Sequence, residues 1–297
     1  MKSLLIAMVL AASSVWAASP EADYFAARDG YTAKFSSLSN ARQMDDGTLR
    51  QHDEALAALT KMMRSIVGPV AIEGFPAEGK ISLDSLFQGD LGFGLIDGLV
   101  YASADGRTQI VVTTEPLLAH WLVEHKDWWG PKIENVPQQP QAALKSEAFY
   151  TQALVTDSAF SKYAELPVRK PAGAAFAYAM LIARTQSLGP RTPDELLVAV
   201  IASGRVFVVS APAGARIAPI AACRQIWKDA EQQAIEKQNA YIRAQSKDEN
   251  LTRQSDRLEE EGDAAFRRCF AARAPADPSF AALARQAQGF VDRLPAN

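Results

Sequence analysis

The residues best equipped for chemistry lie in the segment HWLVEH, residues 120 to 125, which holds two of the chain's three histidines. His120 and Glu124 are four apart, so a helix would set them on one face where both could hold a Zn2+ ion or share a proton. Five residues advance a helix by about 500°, which turns His125 roughly 140° away from His120. Both zinc-protease patterns are missed, H-x-x-E-H by one inserted residue, and on a helix one position is enough to lose the ligand. Trp121, His125 and Trp128 form a separate i, i+4, i+7 row. That row reads first as packing against a sheet and second as an aromatic ligand wall. Neither a metal site nor a cofactor is expected.

Carboxylates offer a second route. Asp90 and Asp97 flank the glycine-rich stretch GDLGFGLIDG, residues 89 to 98, and could act as the acid pair that glycoside hydrolysis uses. The glycines miss both G-x-G-x-x-G and the P-loop. Gly92 and Gly94 therefore read as points of close backbone approach or a bulge, with a ligand-cradling loop as the alternative. No G-x-S-x-G and no S-x-x-K occurs, so a serine nucleophile is unsupported.

The first seventeen residues, MKSLLIAMVLAASSVWA, have the form of a secretory signal: Lys2, an apolar stretch from Leu4 to Ala12, then the small-residue pattern Val15-Trp16-Ala17. Cleavage after Ala17 is expected to deliver a soluble protein to the periplasm or the medium, with no transmembrane anchor once the signal is gone. In that compartment the two cysteines, Cys223 and Cys269, are expected to form one disulfide. Both fall on apolar stripes: Ile220, Cys223, Trp227, Ala230, Ala234 and Leu251, Leu258, Gly262, Ala265, Cys269, Ala272. The midpoint between them is Ser246, which with Glu249 fits a capping box after the polar run QSKDEN. An antiparallel helical hairpin turning there brings the sulfurs level. One unbroken helix would hold them roughly 70 Å apart.

These groups need elements to position them. Thr48 to Val67 has helical periodicity and stops at Gly68-Pro69. Leu91–Ser103 and Arg107–Thr113 read as a hairpin about Asp105-Gly106, with both turn residues at positive φ. Thr114-Glu115-Pro116 opens a helix through about Trp129, and helices are expected between Ala142 and Ala164. Ala174 to Thr185 reads as a strand, with a helix as the alternative its alanines allow, and Leu196–Ala202 with Arg205–Ser210 as a second hairpin about Ser203-Gly204, apolar enough to be central. Asp277-Pro278 caps a last helix whose stripe, from Phe280 to Leu294, is expected to dock on the hairpin. The element order resembles that of sensor-type α/β folds such as PAS and extracellular Cache domains, which implies a sheet cupping a ligand.

The expected fold is therefore α+β: an antiparallel sheet of about five strands in two hairpins with flanking helices, then a disulfide-pinned helical hairpin and a terminal helix. The boundaries are 1–17 for the signal, 18–215 for the sheet domain and 216–297 for the helical extension. At 48% hydrophobic and 22% charged the chain is ordinary globular material, and a net charge of −3 makes no case for nucleic acid or an anionic membrane. A small molecule, a peptide or an envelope protein remains as partner. The expectation is a non-catalytic ligand- or protein-binding module, with sensing as one use. Its alternatives are a periplasmic hydrolase working through the carboxylates or the His120/Glu124 pair, and an envelope-assembly protein acting through its helical extension.

Overall fold

The computed structural model describes residues 19–35, 45–82, 97–118, 163–182, 195–214, 218–244 and 248–295. The expected signal segment lies outside them, as do Asp90, Gly92, Gly94, His120, Trp121, Glu124, His125 and Trp128. Seven strands form one sheet in the order β1-β2-β3-β7-β6-β5-β4. They are β1 (Lys80–Ser82), β2 (Gly98–Ala102), β3 (Gln109–Thr114), β4 (Tyr163–Glu165), β5 (Ala174–Ile182), β6 (Glu195–Ala202) and β7 (Arg205–Pro212). The β1/β2, β2/β3 and β4/β5 pairings are antiparallel. The α+β class with its two hairpins is as expected. The two additional strands, β1 and β4, are three-residue edge strands, and β4 stands where the end of a helical stretch was expected. As their composition requires, β6 and β7 are central, and every residue of β6 is buried.

Packing divides the chain into two compact units, one drawn from 1–150 and 201–208, the other from 151–200 and 209–296. In the first unit, helix α1 (Pro20–Phe35) begins where the Ser19 hydroxyl accepts the Ala22 N–H, with proline in its first position. It buries Tyr24, Phe25, Tyr31 and Phe35. Sequence reasoning passed over this helix as polar, because two of its buried anchors are tyrosines. Helix α2 (Asp46–Val67) is capped by Asp45, whose carboxylate accepts the Thr48 N–H at 2.7 Å. That bond holds the Asp45 carboxyl below its ordinary range. Leu59, Met63 and Val67 form the buried face of α2, which packs on β1, β2 and β3. At its C-terminus Gly68 takes φ 72°, and Arg205 Nε donates to the Val67 carbonyl at 2.9 Å, satisfying an end-of-helix acceptor.

The β2–β3 hairpin corrects one expectation. Only Gly106 has positive φ there, and the backbone bond from Ser103 N to Thr108 O closes a longer loop. The reason is the Asp105 side chain, which accepts from Ser103 Oγ at 2.6 Å and from Arg107 N at 3.1 Å and so builds the turn itself. These bonds lower the Asp105 carboxyl below its ordinary range. The two-residue turn with both φ angles positive is the other one, Ser203 at 52° and Gly204 at 76°. After β3, residues 115–118 are helical as expected, with the Thr114 hydroxyl accepting the Leu117 N–H at 3.4 Å.

In the second unit, helices α3 (Ala218–Arg243) and α4 (Glu249–Arg273) lie against each other as the expected hairpin. Asp248, not Ser246, caps α4, its carboxylate accepting the Asn250 N–H at 3.1 Å. The seam is narrow: a Cβ on Gly262 would come within 2.5 Å of the Ala230 Cβ. Lower on α4 the buried residues are Phe266 and Phe270 instead of the predicted Ala265 and Ala272, and Cys269 is only half-buried. A 3-10 turn at Ala274–Ala276 leads to α5 (Pro278–Arg293), where Asp277 accepts the Ser279 N–H at 2.7 Å. Leu283, Ala287, Phe290, Val291 and Leu294 are all buried, and the Phe280 ring meets Phe270 of α4. The stripe of the last helix is thus buried, with Phe280 against the hairpin as expected.

Candidate functional site

Of the acids singled out from the sequence, Asp97 is described, and it takes part in holding the fold. Gly98, immediately after it, lies so close to β3 that a Cβ would stand 2.7 Å from the Val112 carbonyl, so the backbone here accepts glycine alone. Gly98 is the glycine of that stretch within the described residues; Gly89, Gly92 and Gly94 lie outside them. Asp97 is 3% exposed. Its Oδ2 accepts the Tyr24 hydroxyl at 2.9 Å and Arg28 Nη1 at 3.1 Å, both from one face of α1. The Arg28 guanidinium in turn stands over the Phe25 ring, 5.1 Å from its centroid. Burial first, and the Asp97 charge second, raise the Tyr24 phenol far above its ordinary value, so it stays a neutral donor. A general base needs a lone pair turned toward a cleft. Asp97 Oδ2 is instead spent on a charge-assisted clasp that fastens α1 to the start of β2. Asp90, the other member of the carboxylate pair, lies outside the described residues.

A second cluster was missed in the sequence. The Tyr31 hydroxyl and His52 Nε2 are 2.9 Å apart, and His52 Nδ1 lies 3.1 Å from Asp53 Oδ1. With the proton on Nδ1, His52 donates to Asp53 and accepts from Tyr31, the connectivity of an acid–imidazole–hydroxyl relay. The hydroxyl is a phenol 6% exposed, and burial raises its pKa, with the Asp53 charge adding to the rise. That is the wrong direction for a nucleophile. Phe35 meets the imidazole edge-on at 5.4 Å, so the cluster is a polar and aromatic latch between α1 and α2. The neighbouring pair His52-Asp53 was the available signal. Its phenol partner, 21 residues away, carried none.

Two further sets complete the described chemistry. Across the β6–β7 pair the Ser210 hydroxyl donates to the buried Glu195 carboxylate. On β3, Thr113 Oγ1 and Gln109 Oε1 are buried without a hydrogen-bond partner and, being four residues apart in a strand, share a face. Among the described residues no group of three or more His, Cys, Asp or Glu is placed to hold a metal ion. No described helix is long and apolar enough to cross a membrane.

The cysteines meet as expected. Cys223 and Cys269 form a disulfide with Cα atoms 5.7 Å apart, joining α3 to α4. Beyond Ala234 no described residue of α3 is buried, and none of α4 before Ser255, whose hydroxyl donates to the Ala234 carbonyl at 3.1 Å. The distal turns of the hairpin are therefore solvent-facing and self-supported. Among the described residues the exposed large hydrophobics are Leu49 on α2 and Ile226, Ile235 and Ile242 on α3. Seven residues fall about 20° short of two full turns, so Ile235 and Ile242 share a face. The chain matches no family model, no curated protein and no solved structure.

Proposed function

We propose that this chain is an exported, non-catalytic binding module that engages a protein partner through the distal part of the α3–α4 hairpin. The observation that carries the proposal is the unburied end of that hairpin, with Ile235 and Ile242 on one face. Ile235 is 46% and Ile242 61% exposed, which leaves apolar surface in line along one face of the helix. An amphipathic helical face of this kind suits a helix or groove on a partner. Export is supported by the signal-like start of the sequence and by the disulfide, which persists in an oxidising compartment. The non-catalytic reading is supported by Asp97 Oδ2 and the Tyr31 hydroxyl, which take part in bonds that hold α1 in place.

Native mass spectrometry of protein taken from the exporting compartment after mild cross-linking tests this reading. A complex with a second protein, lost in an Ile235→Lys/Ile242→Lys double variant that keeps its disulfide, is the expected result. Free protein, or a complex the variant leaves intact, would refute it.

A further inference from the structure

The apex of the same hairpin carries a motif that its helical role does not explain. Of the chain's five asparagines, Asn250 alone is followed at the second position by serine or threonine, in Asn250-Leu251-Thr252. That spacing is the acceptor pattern for N-linked glycan transfer: the hydroxyl two residues on helps a transferase grip the acceptor amide. We propose that Asn250 is an N-glycosylation site. The proposal rests on the reading of the chain as exported, since the transfer takes place on the outer side of a membrane.

The geometry supports it in three ways. Asn250 is exposed, and Asp248 and Glu249 beside it are exposed as well. It lies in the first turn of α4, where backbone N–H groups have no partner within the helix, and its own N–H donates to the Asp248 cap. Releasing that cap frees the segment to enter a transferase groove without disturbing the seam at Ser255, Gly262 and Phe266. Asp248 also places a carboxylate two residues before the acceptor, a contact for a cationic side chain in such a groove. In the reaction Asn250 Nδ2 attacks C1 of the first sugar of a lipid-pyrophosphate oligosaccharide. The C1–O bond to pyrophosphate breaks, the lipid pyrophosphate departs with its electron pair, and the amide proton passes to a base of the transferase.

The test uses purified, oxidised protein, an oligosaccharyltransferase in detergent and a lipid-pyrophosphate oligosaccharide, with a short acceptor peptide as the positive control. Intact mass should rise by one glycan, and the increment should vanish in Asn250→Gln and in Thr252→Ala. Helical circular dichroism and a cooperative thermal transition matching those of the parent protein confirm that each variant is folded. Transfer to the control peptide with none to the protein, or transfer that survives Asn250→Gln, would overturn the site. Because the protein is supplied directly to the enzyme, this outcome is independent of export. Export is read separately, from whether the protein recovered from cells begins at Ala18.

Discussion

The α1 clasp and the α3–α4 hairpin solve the same problem, fastening a helix that cannot bury itself, by opposite chemistry. At the clasp, a buried carboxylate accepts from a phenol and a guanidinium 73 and 69 residues away in sequence. In the hairpin, a covalent bond and a close seam at Ala230 and Gly262 do the work. A charge network is specific but depends on every member keeping its protonation state. A disulfide ignores pH and depends on redox poise. The difference teaches where each can be used: the hairpin end is free to expose its surface because its base is covalently pinned, whereas α1 must be buried to be held at all.

The comparison can be broken at several points. Removing the disulfide by Cys223→Ser/Cys269→Ser should cost about 4 kcal/mol in denaturant unfolding. Hydrogen exchange should rise in α3 and α4 and stay unchanged in α1. Asp97→Ala removes the buried acceptor shared by Tyr24 and Arg28, leaving Arg28 beside the exposed Asp29, and should cost about 3 kcal/mol, with exchange rising in α1 instead. Gly262→Ala forces a Cβ into the Ala230 contact and should cost about 2 kcal/mol by thermal unfolding. Thr113→Val runs the other way. Replacing a buried, unpartnered hydroxyl with a methyl of the same shape should raise stability by about 1 kcal/mol, and a loss of stability would show that the hydroxyl is used.

The pH dependence sharpens the same contrast. The raised Tyr24 pKa means that the folded state keeps a proton the unfolded chain releases above about pH 10. Stability should therefore fall as pH rises past that point, and the slope should shrink in Tyr24→Phe. Asp45 and Asp105 have depressed values, so their contributions are present above about pH 4 and are lost as pH falls through the folded pKa. All three groups belong to the first unit. Titration followed by hydrogen exchange should loosen α1, the start of α2 and the β2–β3 loop before the disulfide-pinned hairpin.

How much of this was legible in the sequence follows from how local each feature is. The β6–β7 hairpin announces itself in two apolar runs about Ser203-Gly204. The α3–α4 hairpin follows from helical stripes, a polar turn and two cysteines equidistant from it. The caps at Asp248 and in the Asp105 loop were misassigned by small margins, because several acids and serines compete within a few residues and only geometry picks one. Edge strands β1 and β4 are three residues long, too short for any period to show. The clasp was least visible: Asp97 was noticed as an acid, but its partners are a tyrosine and an arginine, residues that read as surface, in a helix whose buried residues are two tyrosines and two phenylalanines. A carboxylate's role is set by its neighbours in space, and for Asp97 none of those is a neighbour in sequence.

The central claim, that the hairpin end is a protein-binding surface, is tested most directly by a photo-reactive side chain placed at Ile242 and, separately, at Leu49 on α2. Both positions are exposed hydrophobics, so non-specific capture would affect them equally. In the exporting compartment the account predicts a discrete cross-linked protein from Ile242 and none from Leu49. Equal yields from the two positions, or none from Ile242, would contradict it.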